Sequence, residues 1–381
     1  MKNIVVLALH LGTGGIENAI SSLSNILCEK YNVKIISTYK VQEKPAFTLD
    51  KRIKIEYLIN DRPNKAELIK AVKKLQLIRS IREIYKAIKI LILKKYRMIN
   101  AIKKLDADIV ISTRDIHNEW LGKYGSKQII KIAQEHNHHN NNKKYINKVV
   151  KSLKNIDYFM PTSKELADFY KEKLKNTKTK VEYIRNSISY YPQNISSLDS
   201  KNIISVGRLS PEKGYLDLID VYIKIQEKYP DWKLRIVGDG SQREELEEKI
   251  KENKMEAYIE LTGFKNKQEL ETIELDSSIY VMTSFTESFG LVLIEAESYG
   301  LPIVVFDSAQ GAHEIVEEGL NGYFIKNRDK DEMVNKIIQL IESKELRKKI
   351  GNEGRKLSSK YKKEEVAQIW YNFIDSSKKQ V

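Results

Sequence analysis

Short apolar segments alternate with longer amphipathic segments along nearly the whole chain, and this alternation is the feature that most constrains the fold. Apolar runs of strand length separated by helical segments predict parallel strands joined by crossover helices. The predicted strands are Ile4–Leu9, Val33–Thr38, Ile53–Ile59, Asp108–Ser112, Ile129–Ala133, Tyr158–Met160, Val181–Ile184, Ile203–Val206, Lys233–Val237, Tyr258–Leu261, Ser278–Met282, Pro302–Phe306 and Gly322–Ile325. The sequence therefore predicts an α/β protein with doubly wound parallel sheets.

The alternation is interrupted at the polar stretch Tyr190–Ser200, which contains Pro192. We therefore predict two Rossmann-like domains, residues 1–190 and 201–360, joined by a linker at 191–200. The last segment, 361–381, is predicted to carry a helix that crosses back to the first domain. Two such domains facing across a cleft would bind a ligand at the carboxyl ends of their strands.

The composition indicates a soluble globular protein, because 41% of the residues are hydrophobic and 31% are charged. Cys28 is the one cysteine, which excludes an internal disulfide and fits a reducing compartment. The apolar run that begins at Ile4 is too short for the core of a signal peptide, and no run is long enough to span a bilayer. These features predict a cytoplasmic protein, and a peripheral position on the inner face of the cell membrane is compatible with them.

The net charge of +14 is concentrated in one segment, Arg62–Lys104. Fourteen Lys and Arg face only Glu67 and Glu83 there, and apolar residues recur at helical spacing, which predicts a long basic amphipathic helix or helix pair. Three interpretations remain open. The segment is a core helix with a solvated basic face, or it binds an anionic membrane surface or a lipid-phosphate acceptor, or it binds nucleic acid. Few aromatics and no known nucleic-acid module argue against the third.

The stretch Thr283–Ala296 combines a strand end, a tight loop and a helix start, which is the usual geometry of an anion site. Glu287 precedes the helix and Glu295 lies eight residues further on. If both were helical they would be roughly 12 Å apart, too far for a glycosidase pair at about 5–9.5 Å. The spacing suits a nucleotide-sugar, with polar groups at both ends and phosphates between them. The alternative is one surface glutamate and one capping glutamate.

Glycines and cations follow several other predicted strands. Gly14 and Gly15 would let the backbone approach a phosphate, although Glu17 stands where a dinucleotide fingerprint needs glycine. Arg208 and Lys213 could clamp a diphosphate. The alternatives are a plain tight turn and a solvated loop. Two more candidates, Gly238 and Phe264, end strands where a nucleotide or its base could lie.

Together these motifs resemble the retaining family-4 glycosyltransferases of group 1, which have the GT-B fold. The resemblance rests on Gly14-Gly15-Ile16-Glu17, Gly207-Arg208, Glu212-Lys213-Gly214, Gly238-Asp239-Gly240, Glu287 with Glu295, and Asn321-Gly322, in that order. It implies that Arg208 and Lys213 neutralise the donor diphosphate, while Glu295 holds the ribose. It also implies that Glu287 contacts the donor sugar near the amides of Phe289, Gly290 and Leu291, and that the Gly14–Gly15 loop closes over the phosphates.

The resemblance further implies that His136, after the Ile129–Ala133 strand, lies beside the reacting sugar. A metal interpretation of His136, His138 and His139 fits no standard zinc spacing. Asp106-Ala107-Asp108 leads into a strand and is no convincing metal motif, so we expect no cofactor and no metal. Retention of configuration is implied by the family alone.

We therefore predict a hexosyltransferase-type enzyme that uses a nucleotide-sugar, with UDP preferred on family frequency. Its acceptor would be a lipid-linked or cell-surface glycan in capsule, lipopolysaccharide or wall-polymer synthesis. Nucleic acid is not an expected partner, whereas an anionic membrane surface is, through Arg62–Lys104. The alternatives are a related sugar-nucleotide enzyme such as a non-hydrolysing epimerase, and a basic membrane-surface binding protein with a degenerate site.

Overall fold

The structure is a computed structural model that describes residues 1–379, with only the backbone described at residues 65 and 66. The chain divides into two units. The first comprises Met1–Ser187 and the chain from Val366 onward, and the second comprises Ile188–Glu365. The predicted linker, 191–200, lies within the second unit, where Leu198 is buried and the Ser196 N–H donates to the Tyr299 carbonyl at 2.9 Å.

Each unit is built on one parallel sheet. The strands are β1 (Asn3–Ala8), β2 (Asn32–Tyr39), β3 (Lys54–Ile59), β4 (Ile109–Ser112), β5 (Ile130–Glu135), β6 (Tyr158–Pro161), β7 (Lys180–Val181), β8 (Asn202–Val206), β9 (Lys233–Val237), β10 (Ile259–Gly263), β11 (Ile279–Met282), β12 (Ile303–Phe306) and β13 (Gly322–Ile325). The first sheet has the order β3-β2-β1-β4-β5-β6-β7 and the second β10-β9-β8-β11-β12-β13. The fold class predicted from the alternation is confirmed.

Helices connect the strands. They are α1 (Gly15–Leu27), α2 (Lys65–Lys73), α3 (Leu77–Lys103), α4 (Asp115–Tyr124), α5 (Lys143–Ser152), α6 (Lys164–Leu174), α7 (Tyr215–Gln226), α8 (Arg243–Glu252), α9 (Lys267–Leu275), α10 (Leu291–Ser298), α11 (Lys330–Glu342), α12 (Lys344–Ser358) and α13 (Lys363–Ser376). Within residues 1–379, none of them is both long and apolar enough to cross a membrane.

The first sheet is covered on both faces, as the near-continuous apolar strands require. Ile4 and Val6 of β1 pack on the face that includes Ile20 of α1 and Trp370 of α13. The intervening residues point to the other face, and Val5 packs there with residues of α3, α4 and α6. The second sheet is covered in the same way, with α7, α8 and α11 on one face and α10 on the other.

The strand predictions hold, with small differences at the ends. β7 is shorter than predicted, because it covers only Lys180–Val181. Crossover helices are expected between the strands, but the sequence alone did not locate α4 and α5. α5 follows the polar run His136–Asn142, and the Asn142 side chain caps it by accepting from the Tyr145 N–H at 3.1 Å. Apolar residues do recur at helical spacing in α5, at Ile146, Val149 and Val150, so the signal was present in the sequence directly after the polar run.

The basic segment forms a helix pair rather than one helix. The helix is interrupted between α2 and α3 at Leu75, whose φ of 54° is left-handed. The amide of Asn64, which precedes α2, donates to the carboxylate of Glu83 at 2.7 Å and to its carbonyl at 2.8 Å. Both residues are buried, so a polar clamp fixes the start of α2 against α3.

Candidate functional site

In each parallel sheet, successive strands are added first toward one edge and then toward the other, so the strand order changes direction between two neighbouring strands. In the first sheet these are β1 and β4, and in the second they are β8 and β11. The loops that leave the carboxyl ends of such strands diverge to opposite sides and leave a crevice, which is where open α/β sheets bind ligands. Most of the predicted site residues lie in these loops.

The loop after β8 is pressed against the end of β11. It passes through Arg208 into a short 3₁₀ turn, Pro211–Lys213, and then reaches Gly214. Gly214 has a left-handed φ of 68°, and a Cβ there would lie 2.3 Å from the Thr283 carbonyl oxygen. Only glycine meets both demands. The loop therefore depends on Gly214 to bring Lys213 beside β11.

The structure brings Lys213 and Glu287 together. The Lys213 Nζ lies 2.6 Å from the Glu287 carboxylate, and both side chains are about one-fifth exposed. Two further hydrogen bonds join their loops. The Phe285 N–H donates to the Glu212 carbonyl at 2.9 Å, and the Thr283 hydroxyl donates to the Lys213 carbonyl at 3.1 Å. Two residues predicted separately thus form one partly buried ion pair.

Arg208 is open to a ligand. Its side chain is 71% exposed and forms an ion pair with Glu212. Desolvation acts to raise the pKa of Glu212, but hydrogen bonds from its own backbone, Ser210 and Arg208 outweigh it, so that pKa lies below its usual value. An arriving diphosphate would therefore have to compete with an ionised carboxylate for this guanidinium.

Glu295 lies on α10, whereas Glu287 lies in the loop before it. The separation estimated for two helical residues therefore does not apply. Gly290 opens α10 with a left-handed φ of 94°. Desolvation raises the pKa of Glu295 to about 7. Desolvation and the charge of Glu295 also raise the pKa of Glu274, a buried residue of α9. A carboxyl group that titrates near neutrality can switch between donating and accepting hydrogen bonds.

The remaining candidates of the second unit differ in what they present. Gly238 has a φ of 141°, and a Cβ there would lie 1.9 Å from the Gly207 carbonyl oxygen, so glycine lets the ends of β8 and β9 meet. Phe264 follows β10 and is 71% exposed, so its ring could stack on a base. The Phe289 ring is buried against Tyr361, so only its backbone can reach a ligand. Leu291 is half-buried at the first position of α10.

In the first unit, Gly14 and Gly15 follow β1 at the start of α1. A Cβ on Gly14 would lie 2.3 Å from the Glu17 carboxylate, whereas a Cβ on Gly15 would meet nothing within 4 Å. The same carboxylate lies 3.0 Å from Arg114, which follows β4, and 3.6 Å from the His10 ring. The glycine loop therefore rests on an ion pair whose carboxylate is buried, and it leaves open space above Gly15.

His136 follows β5 and is buried. Desolvation, followed by the charge of Arg114, lowers its pKa to about 4, so the ring is neutral at pH 7. Within the described residues its Nε2 has no hydrogen-bond partner. A buried polar atom without a partner is costly and indicates that a ligand or water completes the site.

The other histidines of this loop have packing roles. His139 packs against Phe169 with ring centroids 4.2 Å apart and the rings tilted by 43°, and His138 packs against His139. Among residues 1–379, no cluster of three or more His, Cys, Asp or Glu side chains is arranged to hold a metal ion.

Three residues of these sites were missed from the sequence: Arg114, Glu274 and Arg328. Arg114 directly follows a strand-end Thr, and its position at the end of β4 was an available signal. Arg328 donates to the Thr283 and Ser284 carbonyls, which lie 45 and 44 residues earlier, so no local pattern could have identified it.

Comparisons with known proteins agree with this arrangement. Residues 190–357 match the family model of the glycosyl transferases group 1. An uncharacterized glycosyltransferase of Haemophilus influenzae is 29% identical over 383 residues, which cover 98% of this chain and all of the relative. Three further relatives match over only 39%, 52% and 35% of their own lengths.

Solved glycosyltransferases share the fold of the whole chain. The apo lipopolysaccharide outer core galactosyltransferase WaaB is 20% identical, with a TM-score of 0.70 over 98% of this chain and 99% of WaaB. A Staphylococcus aureus TarM variant in complex with UDP is 16% identical, with a TM-score of 0.76 over 99% of this chain and 100% of TarM. The group 1 resemblance and the fold expected from the motifs are thereby confirmed: residues 190–357 match the glycosyl transferases group 1 model, and the chain has the GT-B fold of these glycosyltransferases. Membership of the retaining family 4 stays a prediction.

Proposed function

We propose that this glycosyltransferase moves a sugar from a nucleotide-sugar, with UDP as the preferred nucleotide, to a lipid-linked or cell-surface glycan. The observation that carries the proposal is the Lys213–Glu287 ion pair, which joins residues 74 positions apart at 2.6 Å. A cation beside a carboxylate suits a ligand that carries a diphosphate next to sugar hydroxyls. Relatives of the same fold support the details: TarM has been crystallised with UDP, and WaaB acts on lipopolysaccharide.

The chemistry follows from the charge of the leaving group. As the glycosidic bond loosens, negative charge develops on the nucleoside diphosphate. Lys213, Arg208 and the backbone amides at the start of α10 would stabilise it, so we propose that transfer needs no metal. Glu287 would bind hydroxyls of the donor sugar, and Glu295 those of the ribose. Retention of configuration is proposed from the family resemblance.

A thermal-shift screen against UDP, GDP and ADP, with and without EDTA, tests the donor site. A ligand that binds only the native state stabilises it by about 2.7 kcal/mol at one hundred times its Kd. We expect UDP to raise the Tm more than GDP or ADP, and EDTA to leave the shift unchanged. A Tm that no nucleotide moves would count against the donor site, and a shift abolished by EDTA would count against metal-free binding.

An epimerase of similar fold is the main alternative, and it needs no acceptor. The test is to incubate the enzyme with each UDP-sugar that raises its Tm and to analyse the sugar afterwards. A stereoisomer of the sugar that forms from donor alone would favour the epimerase, whereas a transferase releases UDP only slowly without an acceptor.

We also propose that the α2–α3 pair attaches the enzyme to an anionic membrane surface. In the structure α3 buries little beyond Ile90, Met98 and Ile102. The exposed apolar residues of the pair are Ile69, Val72, Leu75, Leu77, Ile78, Ile81, Ile84, Tyr85, Ile88, Leu91, Ile92 and Tyr96. The interpretation as a core helix with only its basic face solvated is therefore wrong for this stretch.

A contiguous exposed apolar surface indicates an interaction site. Here the surface carries most of the excess positive charge of the chain, and a helix with this character lies in the plane of an anionic bilayer. The Asn64–Glu83 clamp joins α2 to α3 in the structure without a membrane. Such attachment would hold the enzyme beside a lipid-linked acceptor.

Vesicle flotation tests the attachment. We expect the protein to float with phosphatidylglycerol-containing vesicles at low salt and to be released from them by high salt. With neutral phosphatidylcholine vesicles it should not float. The double change Ile78→Ser with Tyr85→Ser should abolish flotation. Ile195→Ser removes an exposed isoleucine from the second unit and should not. Binding that ignores lipid charge and the double change would overturn the proposal.

A further inference from the structure

Arg328 is held by both terminal nitrogens of its guanidinium group. It follows β13 in a turn. Its Nη1 donates to the Ser284 carbonyl at 3.2 Å and lies 2.9 Å from the Ser308 hydroxyl. Its Nη2 donates to the Thr283 carbonyl at 2.9 Å and to the Asp217 carboxylate at 2.5 Å. Such a planar fork can satisfy several acceptors at once, which an ammonium group cannot do with the same geometry.

Aromatic rings fix the plane of this guanidinium. Its central carbon lies 3.7 Å from the centre of the Phe285 ring and 4.3 Å from that of Phe306. The backbone at Arg328 has a left-handed φ of 54°. A non-glycine residue is strained in that region. The contacts of the side chain offset this strain, which indicates that the side chain and not the turn selects arginine here.

The groups that Arg328 contacts belong to the two loops of the candidate site. Thr283 and Ser284 begin the loop that carries Glu287. Asp217 lies in the first turn of α7, which starts directly after Lys213 and Gly214. Desolvation acts to raise the pKa of Asp217, but hydrogen bonds from Lys330 and Arg328 outweigh it and keep the carboxylate ionised. One guanidinium therefore joins the loop of the cation to the loop of the carboxylate.

We propose that Arg328 is a positioning residue that holds the Lys213 and Glu287 loops in the geometry that binds the donor diphosphate. This inference rests on the proposed function. Arg328 does not itself contact the donor, because its two terminal nitrogens already have protein partners and its side chain is only 19% exposed. It acts through the positions of Thr283, Ser284 and the start of α7.

The test measures the Kd of UDP by calorimetry, well below the Tm of every variant. Arg328→Lys keeps the charge but loses the fork, and we expect about tenfold weaker binding of UDP, since misplaced contacts of this kind cost tenfold or more. Arg347→Lys is the matched control. Arg347 lies in the same unit and donates to the carbonyls of Leu198, Leu340 and Ile341, but touches neither loop. It should lower the Tm and leave the Kd unchanged.

A double-mutant cycle separates positioning from general stability. Lys213→Ala alone should weaken UDP binding by more than tenfold, because it removes a charge-assisted contact with phosphate. If Arg328 acts through the Lys213 loop, adding Arg328→Lys to Lys213→Ala should change the Kd less than twofold. Additive losses, or a Kd for Arg328→Lys equal to that of Arg347→Lys, would overturn the inference.

Two outcomes distinguish this inference from the proposed function. The donor site itself is contradicted if the wild-type protein does not bind UDP, or if Lys213→Ala leaves the Kd of UDP unchanged. If Arg328→Lys binds UDP normally while Lys213→Ala binds it weakly, only the positioning role of Arg328 is contradicted. If Arg328→Lys does not fold, Arg328→Gly relieves the left-handed φ, and methylguanidinium should restore its UDP affinity. Failure to restore it would overturn the inference.

Discussion

The two sheets place an ion pair at the same point of their topology but with opposite polarity. In the first unit the carboxylate of Glu17 follows β1 and the guanidinium of Arg114 follows β4, with 3.0 Å between them. In the second unit Lys213 follows β8 and Glu287 follows β11, at 2.6 Å. Equivalent strands thus supply a carboxylate in one unit and a cation in the other.

The two pairs also differ in the exposure of their carboxylates, whereas the cations Arg114 and Lys213 are similarly exposed. The side chain of Glu17 is 6% exposed, whereas Lys213 and Glu287 are 21% and 19% exposed. A pair whose carboxylate is hidden shapes the loop that it supports, and a pair whose partners are both reachable can exchange them for a ligand. The shared topology fixes where each pair lies, and the burial of the side chains indicates what each pair does.

The largest expected effect is on turnover in the second unit. Glu287→Gln keeps the shape but removes the charge, and we expect turnover to fall about 10²–10³-fold, as for the loss of one transition-state contact. The measurement is the slow release of UDP, without an acceptor, from the UDP-sugar that best raises the Tm, followed at high enzyme concentration so that a large loss can be detected. Glu260→Gln, an exposed change on β10, serves as control. Near-normal turnover by Glu287→Gln would remove the contrast between the pairs.

The next effect is on the stability of the first unit. Glu17→Gln leaves Arg114 without its ionic partner, and we expect the free energy of unfolding to fall by about 2 kcal/mol, less than for a fully buried pair because Arg114 is a quarter exposed. Urea denaturation measures this, and adding Arg114→Met should restore part of the loss. Turnover lost at unchanged stability would show that the first pair is also a ligand site.

A smaller effect concerns pH. The pKa of Glu295 is raised to about 7, so its carboxyl is neutral below that pH and ionised above it. If the ionised form binds the ribose, UDP should bind about tenfold more weakly at pH 6 than at pH 8. In Glu295→Gln, the Kd of UDP should change with pH only as far as the nucleotide itself titrates. Glu297→Gln, on the same helix, should keep the full pH dependence of the wild type. Equal slopes in wild type and Glu295→Gln would contradict the role.

The smallest effect concerns two glycines, Gly15 at the start of α1 and Gly214 before α7, which follow β1 and β8, respectively. Gly15→Ala adds a Cβ into open space, so we expect the free energy of unfolding to change by no more than about 0.5 kcal/mol. Gly214→Ala should destabilise by more than about 1 kcal/mol, because of its left-handed φ and the Thr283 carbonyl. A few-fold rise in the Kd of UDP for Gly15→Ala would place the phosphates over the first loop, and no rise would place them elsewhere.

The sequence predicted the sheets well because their strands carry the signal locally. An apolar run such as Ile203–Val206 is identifiable whatever surrounds it. The site residues Gly214, Glu287 and Gly290 were identifiable for a similar reason, since each stands at a strand end or a helix start. Arg328 has no such local mark, because its function depends on carbonyls and a carboxylate that only folding brings near.

The sequence also could not tell what covers an apolar helix face. The spacing of Ile78, Ile81 and Tyr85 predicts a helix with an apolar side, and most such helices pack on a core. In the structure these side chains are exposed. Periodicity reports which residues share a face, but the partner of that face is a tertiary property.

The passage of α13 into the first unit has a consequence for how the protein is made. Val366, Trp370 and Ile374 complete the core that Ile4 and Ile20 begin, although more than three hundred residues of chain separate them. The first unit therefore cannot close its core until α13 has been synthesised, although its strands were made first. We expect a chain cut after Glu365 to expose an apolar face of the first sheet and to aggregate. The last helix is therefore required to complete the domain whose strands are synthesised first.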